Sequence, residues 1–374
     1  MARSIFIDVV ITPNNICYYL LDRGLITAES VVDGDFMVVD VTRRNRNFKI
    51  VRGQHQGFFI KQIQDWDPQA IASLQCEATC YWLAQNDVKL ASLALLMPAY
   101  YLYDPARHIL ITELLPEGEN LSDYHRRLGK FPVEIAATMG RALGSYHRDS
   151  VNKLENDPQN AYFLKRTPWI LTINQQNPHL FKALSAANSQ LFNIVQTYPQ
   201  FAQVLDDLRV QWQFNSLIHG DMKWDNCVVY RKNGQTEKTG FGIIDWELAD
   251  IGDSRWDVGA IIQAYLTFWI MSIPENSEMS PAQFVELAQY PLEDMQPAIR
   301  AFWKAYLETL QVEGTKAQHL LESCVKYGAA RMIQTAYEYM QYLPHITVSA
   351  LYLLQVSFNI LKSPKEAIDN LLAL

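Results

Sequence analysis

The sequence predicts an α+β protein of two lobes, a small antiparallel β-rich lobe followed by a large helical one. Three observations carry this expectation. Three β-like runs joined by short polar connections occupy the first part of the chain. Helical patterning dominates from Leu121 onward. A single β-hairpin interrupts the helical part. The expected division is a β-rich lobe over residues 1–115, a connector over 116–120 (PEGEN), and a helical lobe over 121–374.

The elements follow in order. Residues 14–22 (NNICYYLLD) read as a short helix stopped near Gly24. The runs FMVVDVT (36–42), FKIVRG (48–53) and FFIKQIQ (58–64) are rich in β-branched and aromatic residues. RRNRN and QHQG join them, and such short polar connections predict antiparallel hairpins. PQAIASLQCEATCYWLAQN (68–86) has helical periodicity with proline at its start, the position where a missing N–H costs nothing. AYYLYD (99–104) and HILITELL (108–115) read as a second pair of strands. In the helical part, NCVVY (226–230) and GFGIID (240–245) flank a connection containing Asn233-Gly234, a strong hairpin signal.

Composition excludes several classes. Hydrophobic residues make up 49% of the 374, enough to bury a sizeable core, so global disorder is excluded. Lys+Arg number 32 against 40 Asp+Glu, a net charge of −8, which argues against a nucleic-acid coat or a polybasic membrane binder. The five cysteines are odd in number and contain no CxxC, which predicts reduced thiols and a cytoplasmic protein. The first residues lack a signal-peptide apolar core. Val258 to Pro274 carries no charge over 17 residues; it falls short of a membrane span and predicts a buried core helix. No HExxH or comparable ligand spacing occurs, so no zinc site is expected. Oligomeric state is left open.

The chemistry concentrates in Leu217-Ile218-His219-Gly220-Asp221-Met222-Lys223-Trp224-Asp225-Asn226, followed by the hairpin and Ile243-Ile244-Asp245-Trp246-Glu247. An Asp and an Asn five residues apart on one loop can face a common point, and a second Asp arrives on the returning strand. One carboxylate can take a hydroxyl proton while the other oxygens hold a hard cation such as Mg²⁺, which prefers a few protein oxygens plus phosphate. Positioning and charge neutralisation are what phosphoryl transfer asks of a protein.

HGDxxxxN, then IDWE, then GDSRWDVG (252–259) resembles the aminoglycoside phosphotransferase and choline kinase-like family, within the protein-kinase-like fold, over nearly the whole chain. Met139-Gly140-Arg141-Ala142-Leu143-Gly144-Ser145-Tyr146-His147 resembles the family's helix ahead of the catalytic loop. The resemblance implies an ATP-dependent transfer of the γ-phosphate to a hydroxyl, with ATP and Mg²⁺ as cofactors. It implies Asp221 as catalytic base or hydroxyl-orienting carboxylate, and Asn226 and Asp245 as Mg²⁺ ligands. Lys61 matches the strand lysine on the α/β-phosphates, with Glu77, 16 residues on, as its partner. Glu113 to Leu115 matches the hinge that meets adenine, Asp257 the support beneath the catalytic loop, and His219 the histidine packed there. Lys223, two residues after the Asp, can reach the γ-phosphate; small-molecule members often carry His there and protein kinases Lys.

The chain departs from the pattern in the turn Thr42-Arg43-Arg44-Asn45-Arg46-Asn47, which has no glycine to bring backbone amides to phosphate. Arg43, Arg44 and Arg46 could grip phosphates by forked hydrogen bonds. The alternative is a solvated hairpin turn with Asn at positive-φ positions. Ser254 and Gly259 stand where members often have Pro and Ala. Ser272 to Ser280 is polar and acidic, and either lines a site for a cationic substrate or is an exposed loop. Cys76 and Cys80 read as small buried residues, and His147 as a packing histidine. Three functions remain open: a kinase for a small-molecule hydroxyl, a kinase for Ser/Thr of a peptide in a lanthipeptide-type pathway (mildly favoured by Lys223), and a pseudokinase scaffold. Retention of Lys61, Glu77, Asp221, Asn226 and Asp245 together argues against the last.

Overall fold

The computed structural model describes residues 10–53, 55–151, 163–173, 184–231, 239–274 and 286–374. The amino-terminal residues 1–9, the hairpin tip with Asn233-Gly234, and residues 275–280 of the acidic loop lie outside them. The chain divides into two compact units. One holds residues 1–119 and 228–249, the other 120–227 and 250–374.

The first unit is built on a five-stranded antiparallel sheet. Its strands are β1 (Met37–Asp40), β2 (Arg46–Val51), β3 (Phe58–Gln62), β4 (Tyr100–Asp104) and β5 (Ile109–Glu113), in the order β1-β2-β3-β5-β4. Period-2 alternation sorts its two faces. Phe48, Ile60 and Ile111 stand opposite one another across β2, β3 and β5. They are buried with Ile16, Tyr19 and Leu20 of the helix α1 (Ile16–Asp22). Asp104 ties α1 down, accepting from Tyr19 Oη at 3.0 Å and from Arg23 at 2.6 Å. Lys61, one residue after Ile60, stands opposite Asn47 and Leu110 on the other face. The short helix α2 spans Ala28–Val32, and the long helix α3 spans Pro68–Asn86. Asp67 caps α3 by accepting from Gln69 N and Ala70 N, ahead of Pro68 in the first turn. Later in the chain, strands Cys227–Arg231 and Thr239–Ile243 pair as neighbours.

The arginine turn between β1 and β2 contains no left-handed residue, so the expectation of Asn at positive φ is corrected. The turn closes instead through side chains and backbone. Thr42 N donates to Asp40 Oδ1 at 2.9 Å, and Asn47 N to Thr42 Oγ1 at 3.3 Å. These bonds replace the left-handed backbone that a two-residue hairpin would need.

The second unit is helical. Two short strands that the sequence reading did not anticipate, Ser216–Ile218 and Asp250–Gly252, pair antiparallel within it. Two-helix contacts carry its core. The helix Val133–Ser150 lies against Leu292–Leu310, and Ser254–Met271 against Gly314–Tyr339. Ser254–Met271 is buried from Trp256 to Ile270, in keeping with the uncharged stretch that begins at Val258. Gly259 meets Gly328 at that second contact. A Cβ on Gly259 would sit 2.5 Å from Cys324 O and 2.6 Å from Gly328 N, both backbone atoms that cannot turn aside. The glycine found where the motif resemblance suggested Ala is therefore a packing requirement.

His125, on the helix Leu121–Leu128, is buried against Phe131 and Trp224, with ring centroids 4.9 and 4.7 Å away. Its Nδ1 donates to Lys130 O at 2.9 Å. Burial disfavours the imidazolium and lowers its pKa to about 4.

Two outcomes follow from this packing. Gly259→Ala should destabilise the protein by about 1–3 kcal/mol, the usual cost of overpacking, seen as a lower urea midpoint. An unchanged midpoint would show that the two helices can separate freely. The second concerns pH. A base whose pKa is depressed in the folded state is protonated first in the unfolded chain, so stability drops as pH falls from 6.5 towards 4. The loss from His125 should reach roughly 3 kcal/mol. His125→Gln should flatten the pH–stability curve in that window, and an equal slope in parent and variant would refute the assignment.

Candidate active site

In the second unit, the strand Ser216–Ile218 leads into the loop His219–Asn226. Gly220 takes φ 79°, a left-handed conformation that suits glycine, and sets the turn into Asp221. Asp257 anchors the loop from the start of its own helix. Its carboxylate accepts from His219 N at 2.7 Å, Gly220 N at 3.1 Å and Tyr146 Oη at 2.7 Å, and it is fully buried. His147 Nε2 stands 3.6 Å from the same carboxylate, and its Nδ1 meets Tyr306 Oη at 3.1 Å. His147 is thus a buried, bonded histidine.

Asp221 is surrounded by donors. Lys223 Nζ reaches Oδ2 at 2.7 Å, Asn226 Nδ2 reaches the same oxygen at 3.3 Å, and Arg331 Nη2 reaches Oδ1 at 3.1 Å. Burial alone would raise its pKa. The Arg331 and Lys223 cations outweigh that and hold the carboxyl well below the usual carboxylate range. Asp221 is therefore an anion at neutral pH, the state needed to orient a hydroxyl. Asn226 Nδ2 also donates to Asp221 O at 2.9 Å, which fixes the amide with its nitrogen towards the loop.

In the first unit, Lys61 Nζ donates to Glu77 Oε2 and Asp245 Oδ1, each at 2.7 Å, and to Glu247 Oε2 at 3.2 Å. β3 aims the lysine at α3, whose buried face carries Glu77 between Cys76 and Ala78. Burial would lower the ammonium pKa, but three carboxylates raise it well above normal, so Lys61 stays charged. Oxygens of Glu77, Asp245 and Glu247 all lie within 4.8 Å of one another. Asp245 takes φ 65°, a left-handed conformation uncommon for a residue other than glycine. One lysine among three carboxylates leaves surplus negative charge, and an oxygen set of this kind fits a hard divalent cation.

The remaining expected residues have definite places in the same unit. Arg44 pairs with Glu247 at 3.2 Å while its side chain stays 73% exposed. Arg46 Nη1 reaches Ile63 O at 3.5 Å, and Arg43 O accepts from Gln64 Nε2 at 2.9 Å. Glu113 bonds Ala99 through both its N–H, at 2.8 Å, and its carboxylate, at 3.0 Å. Leu115 O accepts from Gly118 N at 3.2 Å. Cys76 and Cys80 are buried, and Cys76 Sγ donates to Ala249 O.

A cavity of about 210 Å³ opens in the second unit beside Lys223, Trp224 and Asp225. Gln263 and Thr267, one turn apart on the uncharged stretch of the helix Ser254–Met271, line it together with Arg331 and Tyr339. Gln263 Nε2 donates to Thr267 Oγ1 at 2.6 Å and to Thr335 Oγ1 at 3.2 Å. Polar side chains on an otherwise apolar helix are thereby explained: they face a cavity.

Two charged groups of these clusters escaped the sequence reading. Glu247 was within the quoted IDWE but carried no assigned role. Arg331 belongs to no motif and lies 110 residues beyond Asp221. Its signal was a single charge inside the otherwise uncharged run Tyr327-Gly328-Ala329-Ala330-Arg331-Met332-Ile333, a pattern that marks a buried charge needing a partner.

Comparison with known proteins gives a consistent picture. A sequence model described as the phosphotransferase enzyme family matches residues 41–319. No curated protein sequence matches the chain. Among solved structures, the amicoumacin kinase hAmiN in complex with AMP-PNP, Ca²⁺ and Ami is similar with a TM-score of 0.51 at 12% identity, covering 92% of this chain and 96% of that one. The GDP and kanamycin complex of APH(2")-IIia is similar with a TM-score of 0.51 at 12% identity, covering 95% and 99%. At these identities the likeness is one of fold.

Proposed function

Because the chain belongs to the phosphotransferase enzyme family, we propose that it transfers the γ-phosphate of ATP to a hydroxyl of a small molecule. The observation that carries this reading is Asp221, a carboxylate held anionic by two cations, on a loop clamped by Asp257, beside a cavity with polar lining. Asp221 orients the acceptor hydroxyl and takes its proton as the hydroxyl oxygen bonds to the γ-phosphorus and the bridging oxygen leaves with ADP. Lys223 carries a positive charge one hydrogen bond from Asp221, where it balances charge on the transferring group. Lys61 binds phosphate oxygens, with Glu77 keeping its ammonium aimed. Glu113 and Leu115 are assigned to adenine, and Arg43, Arg44 and Arg46 to the phosphates, on the strength of the motif resemblance.

Asn226 and Asp245 are assigned to Mg²⁺ by the same resemblance. A bound Mg²⁺ supplies charge neutralisation of the polyphosphate. Glu247 adds a third carboxylate to the Lys61 cluster and suits the same cation. The cavity, about 210 Å³ and lined by charged, amide, hydroxyl and aromatic groups, suits part of a polar small molecule better than an extended peptide. All five cysteines are thiols rather than disulfides, which supports a cytoplasmic setting. Among the described residues no helix is long and apolar enough to cross a membrane.

Mg·ATP should raise the melting temperature, because a ligand that binds only the native state stabilises it by about 2.7 kcal/mol at a hundredfold excess over Kd. Absence of any shift with millimolar ATP or GTP plus Mg²⁺ would sink the nucleotide assignment. Asp221→Asn keeps the shape of the side chain and removes the carboxylate. Turnover should fall by roughly 10²–10⁴, the range of a lost general base, with ATP affinity nearly unchanged. Near-normal transfer by this variant would mean that the catalytic residue lies elsewhere.

A further inference from the structure

We propose that Arg331 is a positioning residue for catalysis: its forked guanidinium fixes one carboxylate oxygen of Asp221, so that the other is presented to the acceptor hydroxyl. The inference rests on Asp221 being the catalytic carboxylate. Arg331 comes from the middle of the helix Gly314–Tyr339, outside every motif of the catalytic loop. Only 2% of its surface is exposed, so its charge must be matched locally. Both terminal nitrogens bond to the loop. Nη1 donates to Gly220 O at 3.1 Å, and Nη2 to Asp221 Oδ1 at 3.1 Å.

The plane of the fork is also held. The guanidinium lies over the Trp256 ring, 5.3 Å from its centroid, and Trp256 Nε1 donates to the same Gly220 O at 3.0 Å. A planar donor pinned on its face has little freedom, so Oδ1 cannot follow a substrate without breaking a charged hydrogen bond. Oδ2 is held differently. Its donors are Lys223 Nζ, whose side chain is 42% exposed on a flexible stem, and a 3.3 Å contact from Asn226. Those donors can yield as a hydroxyl arrives. The division of labour is one rigid oxygen and one exchangeable oxygen, and it makes the carboxylate a fixed bearing rather than a free rotor. Arg331 also lines the cavity beside Lys223, so the same cation closes the wall next to the reacting oxygen.

Arg331→Met keeps the apolar stem and removes the fork. Hydrolysis of Mg·ATP with water as acceptor is the assay, read together with Mg·ATP affinity and melting temperature. Expected is a loss of kcat of roughly 10- to 100-fold, the worth of one or two charged hydrogen bonds, with Mg·ATP affinity within about twofold of the parent. Arg331→Lys should recover part of the rate, and guanidinium added below denaturing concentration should recover part of the rate of Arg331→Gly. In the Asp221→Asn background, Arg331→Met should cost nothing further. A crystal structure of Arg331→Met should show the Asp221 carboxylate rotated, with Gly220 still held by Trp256. A purely structural arginine would instead lower the melting temperature, leave kcat of the folded enzyme unchanged and leave the Asp221 carboxylate in place; that result overturns the proposal. If Asp221→Asn itself leaves turnover intact, the reading of Asp221 fails, whereas a damaged Asp221→Asn beside a normal Arg331→Met refutes the role of Arg331 alone.

Discussion

The buried carboxylate of Asp257 is the constraint on which the loop chemistry depends. Burying an anion is costly, and it is tolerated here because two backbone N–H groups and a tyrosine hydroxyl are aimed at it. Burial would raise its pKa, and the neighbouring His147 and His219 help to hold it lower. The consequence is mechanical. The N–H groups of His219 and Gly220 cannot turn without stranding a buried charge, so the residue that follows them, Asp221, leaves the strand in one direction only.

Each unit, taken by itself, holds one unbalanced charge cluster, and the two are of opposite sign. In the second unit, one carboxylate, Asp221, meets two cations, Lys223 and Arg331. In the first, one cation, Lys61, meets three carboxylates. A surplus of positive charge suits an anionic base and a transferring phosphate. A surplus of negative charge suits a divalent metal. Neither cluster balances its own charge.

Much of this was legible in the residues. The run 68–86 was readable as a helix because proline and periodicity agreed, and the observed helix has those bounds. The sheet was readable because alternation in FKIVRG and FFIKQIQ places Phe48, Ile50, Phe58 and Ile60 on one face. The short strands Ser216–Ile218 and Asp250–Gly252 were not readable, since three residues cannot show a period and their partners lie some thirty positions apart. The closing bonds of the Thr42–Asn47 turn were also missed, because a side-chain hydrogen bond can replace the left-handed backbone that composition suggested.

By itself, the sequence determined most of the local elements and singled out the candidate groups for the chemistry, because both depend on residue type at short spacing: HGD-x4-N, IDWE, and a strand lysine before a helix with Glu77. Only the tertiary structure decided what those groups touch. It grouped residues 228–249 with the β-rich unit, set Gly259 against Gly328, and brought Arg331 onto Asp221 from 110 positions away. The physical reason is burial. A charge inside a core must find its partner wherever the packing of helices delivers one, and that partner is fixed by three-dimensional proximity, which no local pattern encodes.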